Sequence, residues 1–365
     1  MKIILLLLGL STLVFASINE SLVCKKCHPI IYKEYYSSSH AKASIITNPI
    51  NKAIWKLHPE YHDNNNSCSK CHSPNYKKAG KDVSISCIDC HNIKDVIEEE
   101  KSNKNIINTK ERWFYSADIS KKEEKNIEFK KQSSLFGLIN ETAGSAYHKI
   151  DYTNRGYYDG NICLGCHSHR LNKHGIDTLM LDAKIDKNDK ESCISCHMPQ
   201  IVGSKVTLYN SKTHAYHGIA GIHQMSEKMG EFVEFVVKKT DRGFNIKVIN
   251  KANHALFGHP LRLGLLKVEL ISEGKTLKLK PYVFERTLSK DGKLSMSWDA
   301  DDELSDTLLY GKKSIDYDIK LKKGDKVALT LGLYLIKPSL LEKFKLQNNK
   351  DAKRFRVLKK ELFNF

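Results

Sequence analysis

Beyond residue 16 the chain has no uninterrupted apolar stretch of the ~20 residues that a bilayer-spanning helix needs. It also has no cysteine after Cys196, and no glycine-rich phosphate loop, calcium-loop pattern or arguable Ser/His/Asp set. These absences speak against a multi-span membrane protein, a disulfide-stapled C-terminal half, a phosphate-loop nucleotide enzyme and a triad hydrolase. Methionine is scarce, at 6 residues, and acidic residues are outnumbered, 42 Asp and Glu against 59 Lys and Arg, for a formal charge of +17.

What is present starts with "MKIILLLLGLSTLVFAS", one lysine followed by an apolar run from Ile3 to Phe15. The run is too short to span a bilayer and ends in small residues. It reads as a secretory signal cut near Ala16, which sends the remainder to the periplasm. From there to Phe365 the length suits about two domains.

An exported chain with 10 cysteines would ordinarily be a disulfide framework. Here the cysteines form pairs, Cys24/Cys27, Cys68/Cys71, Cys87/Cys90, Cys163/Cys166 and Cys193/Cys196, and a histidine follows each pair at once: His28, His72, His91, His167 and His197. Disulfides do not call for a histidine after every second cysteine, and zinc half-sites would not demand it each time. Covalent haem c does. Two thiols add to the porphyrin vinyl groups, and the neighbouring imidazole becomes the proximal ligand of the iron. The expected cofactors are therefore five haems c with their iron.

That cofactor set would bring ionised propionates and ferric irons, leaving an oxidised protein near +11 by rough count. The remaining excess suits an acidic redox partner, a small anion or peripheral contact with an anionic membrane surface. Nucleic acid is a poor alternative, because the lysines are spread along the chain.

The motifs are unevenly spaced, with only 19 residues from Cys68 to Cys87, which predicts that the second and third haems are close neighbours. Short helical stretches such as "SLVCKKCHPIIYKEYYSSSHAKA" surround them. Residues 93–134 are rich in Lys, Glu and Asn and read as an exposed helix or loop, interrupted by Trp113, Phe114 and Tyr115, which suit either a porphyrin face or a surface anchor. After Gly230 the pattern changes. "FNIKVIN", "LLKVELIS" and "KVALTLGLYLI" are alternating β-branched runs divided by "DRG", "EGK", "KDGK" and "KKGD", the signature of an antiparallel sandwich. The expected organisation is a leader at 1–16, a mainly α, loop-rich pentahaem domain at 17–225, a β-sandwich at 226–336 and a basic C-terminal helix at 337–365, together a multidomain α+β protein.

Of the 16 histidines, those outside the motifs are candidates for second axial ligands: His40, His58, His62, His148, His169, His174, His214, His217, His223, His254 and His259. Met198 follows His197 directly and cannot reach the far face of the same porphyrin, so two-histidine ligation is the expectation. His40 lies twelve residues beyond His28, about 18 Å along a straight helix. Unless the chain doubles back, it serves a different haem.

The pieces "CKKCHPIIYKEYYSSSHAKA", "SCSKCHSPNYKKAGKDVSISCIDCHNI", "GSAYHKIDYTNRGYYDGNICLGCHSH", "SCISCHMPQ", "THAYHG" and "VINKANHALFGHPLR" resemble exported multihaem cytochromes c related to the tetrahaem electron carrier of bacterial hydroxylamine oxidation. They cover most of residues 20 to 262. The resemblance implies distal ligation by His40, His148, His214 and His254. It departs from the family at Asn253, where relatives usually carry glycine, and this leaves His254 and His259 as alternatives. His58, His62, His169 and His174 remain open for the fifth distal position, and His217 and His223 as substitutes for His214.

The function expected is electron transfer between periplasmic or membrane-bound redox partners, such as a quinol dehydrogenase or a terminal reductase of anaerobic respiration. The alternative is a reductase or oxidase of a small nitrogen or sulfur compound at one haem with an open distal face. No motif ends in lysine, a mark of the pentahaem ammonia-forming nitrite reductases.

Overall fold

The computed structural model describes residues 20–45, 47–61, 68–74, 84–118, 130–131, 142–143, 145, 147–179, 192–207 and 212–365. The expected leader, His62 and part of the charged stretch before Ser134 lie outside them.

The N-terminal part is built from short helices of four to nine residues. Its helices are α1 (Glu20–Lys25), α2 (Pro29–Ser37), α3 (Pro49–Trp55), α4 (Ser69–His72), α5 (Cys87–His91), α6 (Gly156–Asp159) and α7 (Cys193–His197). Short strand pairs run between them. β1 (Ile93–Ile97) is antiparallel to β2 (Lys104–Ile107), β3 (Trp113–Tyr115) is parallel to β4 (Lys149–Asp151), and β5 (Gln200–Val202) is antiparallel to β6 (Thr213–Ala215). The mainly α character expected here does not hold. A Cys-x-x-Cys-His motif needs only one turn of helix, and the chain between motifs runs extended to reach the next.

From α8 (Ser226–Gly230) onward the molecule is β-sheet. β7 (Val233–Lys239), β8 (Phe244–Asn250), β9 (Leu263–Ser272), β10 (Lys275–Lys278), β11 (Tyr282–Phe284) and β12 (Arg286–Lys290) follow in order. After them come β13 (Lys293–Leu294), β14 (Asp302–Asp306), β15 (Lys312–Tyr317) and β16 (Lys326–Tyr334). One sheet has the order β15-β8-β7; a larger one joins β10, β9 and β16, with β11 also on β9. Alternation with period two buries every second residue of β8, and Phe244, Ile246 and Val248 meet Leu266, Val268, Leu329 and Leu331 of the other sheet in one core. Each such side chain contributes about 1.5–3 kcal/mol on burial. The expected turns at "EGK" and "KDGK" are two-residue hairpins in which Glu273, Gly274, Asp291 and Gly292 all take positive φ.

The C-terminal helix is a correction. Leu340, Leu341, Phe344 and Leu346 do pack inward, but the only helix between Leu341 and the C-terminus is the single turn α9 (Lys350–Lys353). The end is then strand β17 (Phe355–Asn364), antiparallel to β16 as the fourth member of the larger sheet's main path. "FRVLKKELF" alternates closely enough to complete a sheet edge that a helix would leave unpaired.

The two parts are in contact. Asn172 Nδ2 donates to the carbonyls of Ser297 (2.8 Å) and Ala300 (2.7 Å), the guanidinium of Arg286 donates to the carbonyl of Asp177, and Ile50, Ala53 and Ile54 of α3 pack against a cluster containing Leu261, Ile336 and Phe344.

Candidate haem sites

In every motif the histidine N–H closes a helical turn onto the first cysteine. His28, His72 and His167 donate to the carbonyls of Cys24, Cys68 and Cys163 at 2.9, 3.0 and 2.8 Å, and α5 and α7 are the motifs themselves. Positions i, i+3 and i+4 of one turn share a face, so both sulfurs and the imidazole point the same way. Ser86 and Ser192 cap α5 and α7 with capping boxes completed by Asp89 and Ser195. Gly165, inside the fourth motif, lies where a Cβ would overlap the side-chain amide of Asn105, so a larger residue would displace that amide.

None of the ten cysteines is in a disulfide. All ten, with the five motif histidines, line one continuous cavity of about 4280 Å³ whose wall is mostly apolar. An ordinary ligand pocket holds roughly 300–1,000 Å³. Protein interiors are close-packed, so a void of this size is a cradle for something large.

The imidazoles define what fits. Ring centroids are 6.3 Å apart for His28 and His148, 5.8 Å for His40 and His167, 6.2 Å for His91 and His217, and 6.2 Å for His197 and His254. An iron held by two imidazoles at ~2 Å per bond, as for other imidazole–metal bonds, separates ring centroids by about 6 Å. The tautomers agree. Nδ1–H of His28, His72, His91 and His197 donates to the carbonyls of Lys205 (2.7 Å), Ala43 (3.0 Å), Tyr115 (2.7 Å) and Ala220 (2.6 Å). His217 and His254 do the same to Ala215 (2.7 Å) and Ala255 (2.9 Å). Such bonds leave the Nε2 lone pair free for a metal. Burial lowers the pKa of His40, His72, His91, His148 and His254, and takes those of His167 and His217 down to about 4, which favours the neutral, ligating form.

The structure thus brings His40, His148 and His254 each opposite a motif histidine, and His40 faces the fourth motif, not its own. His214 is a correction. It is buried with both nitrogens engaged, Nε2 on the Glu34 carboxylate at 2.8 Å and Nδ1 on the Gly203 carbonyl at 3.0 Å. His217 stands opposite His91 in its place, and its backbone N–H donates to the same Glu34 carboxylate at 3.0 Å. Glu34 is a positioning residue that no motif marks; only its place on α2, beneath the β6 turn, reveals it.

His72 differs from the other four. Among the described residues no histidine ring stands opposite it at such a separation. His259 is its neighbour in the cavity wall, but there the backbone N–H of Leu261 donates to Nδ1 at 3.2 Å, so the neutral ring carries its proton on Nε2. His58 has the same arrangement, its Nδ1 accepting from the Glu60 N–H at 3.2 Å, and its ring packs between Trp55 and Trp298. His169 donates through Nε2 to the carbonyls of Glu99 and Glu100. His174 sits on an exposed turn, and burial with nearby Arg356 and Arg262 pushes His223 down to about 4. Trp113, Phe114 and Tyr115 form β3; Phe114 meets His148 edge-on at 5.4 Å, and Tyr115 supplies the carbonyl that orients His91.

Sulfurs of different motifs also touch: Cys24 lies against Cys87, Cys71 against Cys166, and Cys163 against Cys193. Gly160, at φ +84°, makes the last approach feasible, since a Cβ there would lie 2.6 Å from that of Cys193. The expected closeness of the second and third motifs is not among these contacts; the second abuts the fourth and the third abuts the first.

Residues 23–92 match the family model described as "Cytochrome c554 and c-prime". No curated protein matches the chain. Its fold is similar to that of a penta-heme cytochrome c552 from Thermochromatium tepidum, with a TM-score of 0.68 at 19% identity over 94% of this chain and 98% of that one. The chain has the fold of a multihaem cytochrome c.

Proposed function

We propose that this protein is an exported c-type cytochrome that holds five haems and passes electrons between redox partners of the periplasm or membrane. The observation that carries the reading is the opposition of four histidine pairs at an iron-bridging separation, across a cavity lined by all ten cysteines. Bound there, the haems would supply one-electron iron chemistry. The chain's own contribution is ligation, burial and order. Cys24 and Cys87, Cys71 and Cys166, and Cys163 and Cys193 would hold porphyrin edges of the first and third, second and fourth, and fourth and fifth sites in contact. Cys90 lies within electrostatic reach of Cys163 and Cys166, which closes the gap between third and fourth. The result is a branched relay. The two facing sheets form a C-terminal sandwich in this reading, carrying His254 and His259 on its rim. The basic excess favours acidic partners or an anionic surface.

Purified exported protein tests this directly. A Soret band with about 3 kDa of covalent mass beyond the polypeptide supports five thioether-linked haems; a colourless protein of polypeptide mass overturns the reading.

One observation favours a second reading, catalysis on a small nitrogen or sulfur compound at the second motif. His72 lacks an opposing ring among the described residues, and the neighbouring His259, whose Nδ1 accepts from the Leu261 N–H, carries its proton on Nε2. Carbon monoxide binding to the reduced protein would support an open face; its absence would leave the carrier alone.

A further inference from the structure

His40, His148 and His217 oppose their motif histidines from the N-terminal part, whereas His254 comes from the loop between β8 and β9. Its ring faces that of His197 with centroids 6.2 Å apart and planes inclined by 23°. A ring carried on a loop keeps such a geometry only if the loop is fixed to something rigid. Here that is the sheet core.

Asn250, the last residue of β8, is 7% exposed, and its side-chain amide is engaged on both sides. Nδ2 donates to the carbonyls of His254 at 2.8 Å, Leu309 at 3.1 Å and Tyr310 at 3.3 Å, while Oδ1 accepts from the Ala252 N–H at 3.0 Å. Three carbonyls on one side and an N–H on the other admit one orientation of the amide. The backbone is held as well. The Asn250 N–H donates to the Gly311 carbonyl at 2.6 Å and the Lys251 N–H to the Phe232 carbonyl at 2.8 Å. Beyond His254, Leu256 pairs with Leu309, its N–H donating to the Leu309 carbonyl at 3.0 Å. The loop therefore returns to the Leu309 carbonyl from both ends, and Leu309 is 1% exposed within the core of the facing sheets. Inside the loop, Nδ1–H of His254 donates to the Ala255 carbonyl at 2.9 Å, which sets the turn of the ring.

We infer that Asn250 is a positioning residue for the iron that His197 and His254 would share, and that the sheet unit thereby forms a working part of the fifth haem site. This rests on the reading of His197 and His254 as an axial pair. Asn250 acts through the main chain of His254, tying the ligand to the sheet core instead of to the N-terminal part that carries the thioether bonds.

The experiment uses the full haem-loaded protein, oxidised, with cyanide binding followed by low-temperature electron paramagnetic resonance and stability measured alongside. His254→Ala supplies the reference, because the low-spin signal it abolishes belongs to the fifth iron. Cyanide enters that iron by displacing His254, so a loosened ligand competes less. For Asn250→Ala the inference expects cyanide to bind there about tenfold more tightly or better, the scale on which outer partners of metal ligands act. Asn250→Asp keeps the volume and the acceptor but turns an oxygen towards three carbonyls, and should tighten cyanide binding as well. Val268→Ala opens a cavity in the same core and should lower stability while leaving cyanide affinity at the parent value. If His254→Ala abolishes a signal but cyanide binds both Asn250 variants as it binds the parent, the amide serves the fold alone and the inference is overturned. It is overturned equally if Val268→Ala tightens cyanide binding as much. If His254→Ala leaves every low-spin signal intact, the axial pair itself falls, and the inference with it. Should Asn250→Ala fail to retain its haems, the isosteric Asn250→Asp decides by the same comparison.

Discussion

His214 and His217 stand three residues apart and do opposite things. The carboxylate of Glu34 takes the Nε2 of His214 and the backbone N–H of His217, which leaves the His217 ring to face His91. Replacing His217 by alanine should therefore create an additional high-spin iron in the oxidised protein. Replacing His214 by glutamine should leave the ligand set unchanged. Electron paramagnetic resonance of the two variants distinguishes them. Glu34→Gln weakens a hydrogen-bonded pair inside the fold and should cost about 1–3 kcal/mol against denaturant, with a perturbed signal at the His91 site. His223 gives the acid response a sign. Its pKa is held down to about 4 in the folded state by burial, then by Arg356 and Arg262, against about 6.5 unfolded. Between those values the unfolded chain binds more protons, so stability falls as pH drops from 6.5 towards 4 and is unaffected above. His223→Gln should flatten part of that acid slope in denaturation measured across the window.

At the scale of elements, the motifs were legible because their chemistry is local: one helical turn sets two sulfurs and an imidazole on one face. Distal ligands were harder, since each pair joins distant segments, as His28 does with His148 across β4. The family resemblance pointed to "THAYHG" and within it to His214, whereas the ring that stands opposite His91 is that of His217, because Glu34 on α2 holds His214. The C-terminal strand was misread for a different reason. Apolar residues at 340, 341, 344 and 346 suit a helical stripe, while the alternation that makes β17 begins only at Phe355. The sheet turns were readable from their glycines, because Gly takes positive φ without steric cost, and Asp tolerates it beside Gly. Ser86→Ala removes the cap of α5 and should lower stability by about 1 kcal/mol. Removing residues 355–365 strips a strand from the larger sheet; circular dichroism and limited proteolysis should report loss of the C-terminal unit.

For the whole molecule, the cavity is the organising feature. The N-terminal part has few long elements to pack on one another, and its large core clusters belong to the sheets and to their contact with α3. The haems would supply the missing core, so the polypeptide without them should lose its N-terminal tertiary structure while the sheets persist. The measurement that bears most directly on this account is low-temperature electron paramagnetic resonance of the oxidised, haem-loaded protein with spin quantification. The account predicts at least four low-spin irons of two-imidazole type per chain. Fewer than four low-spin irons of that type would contradict it.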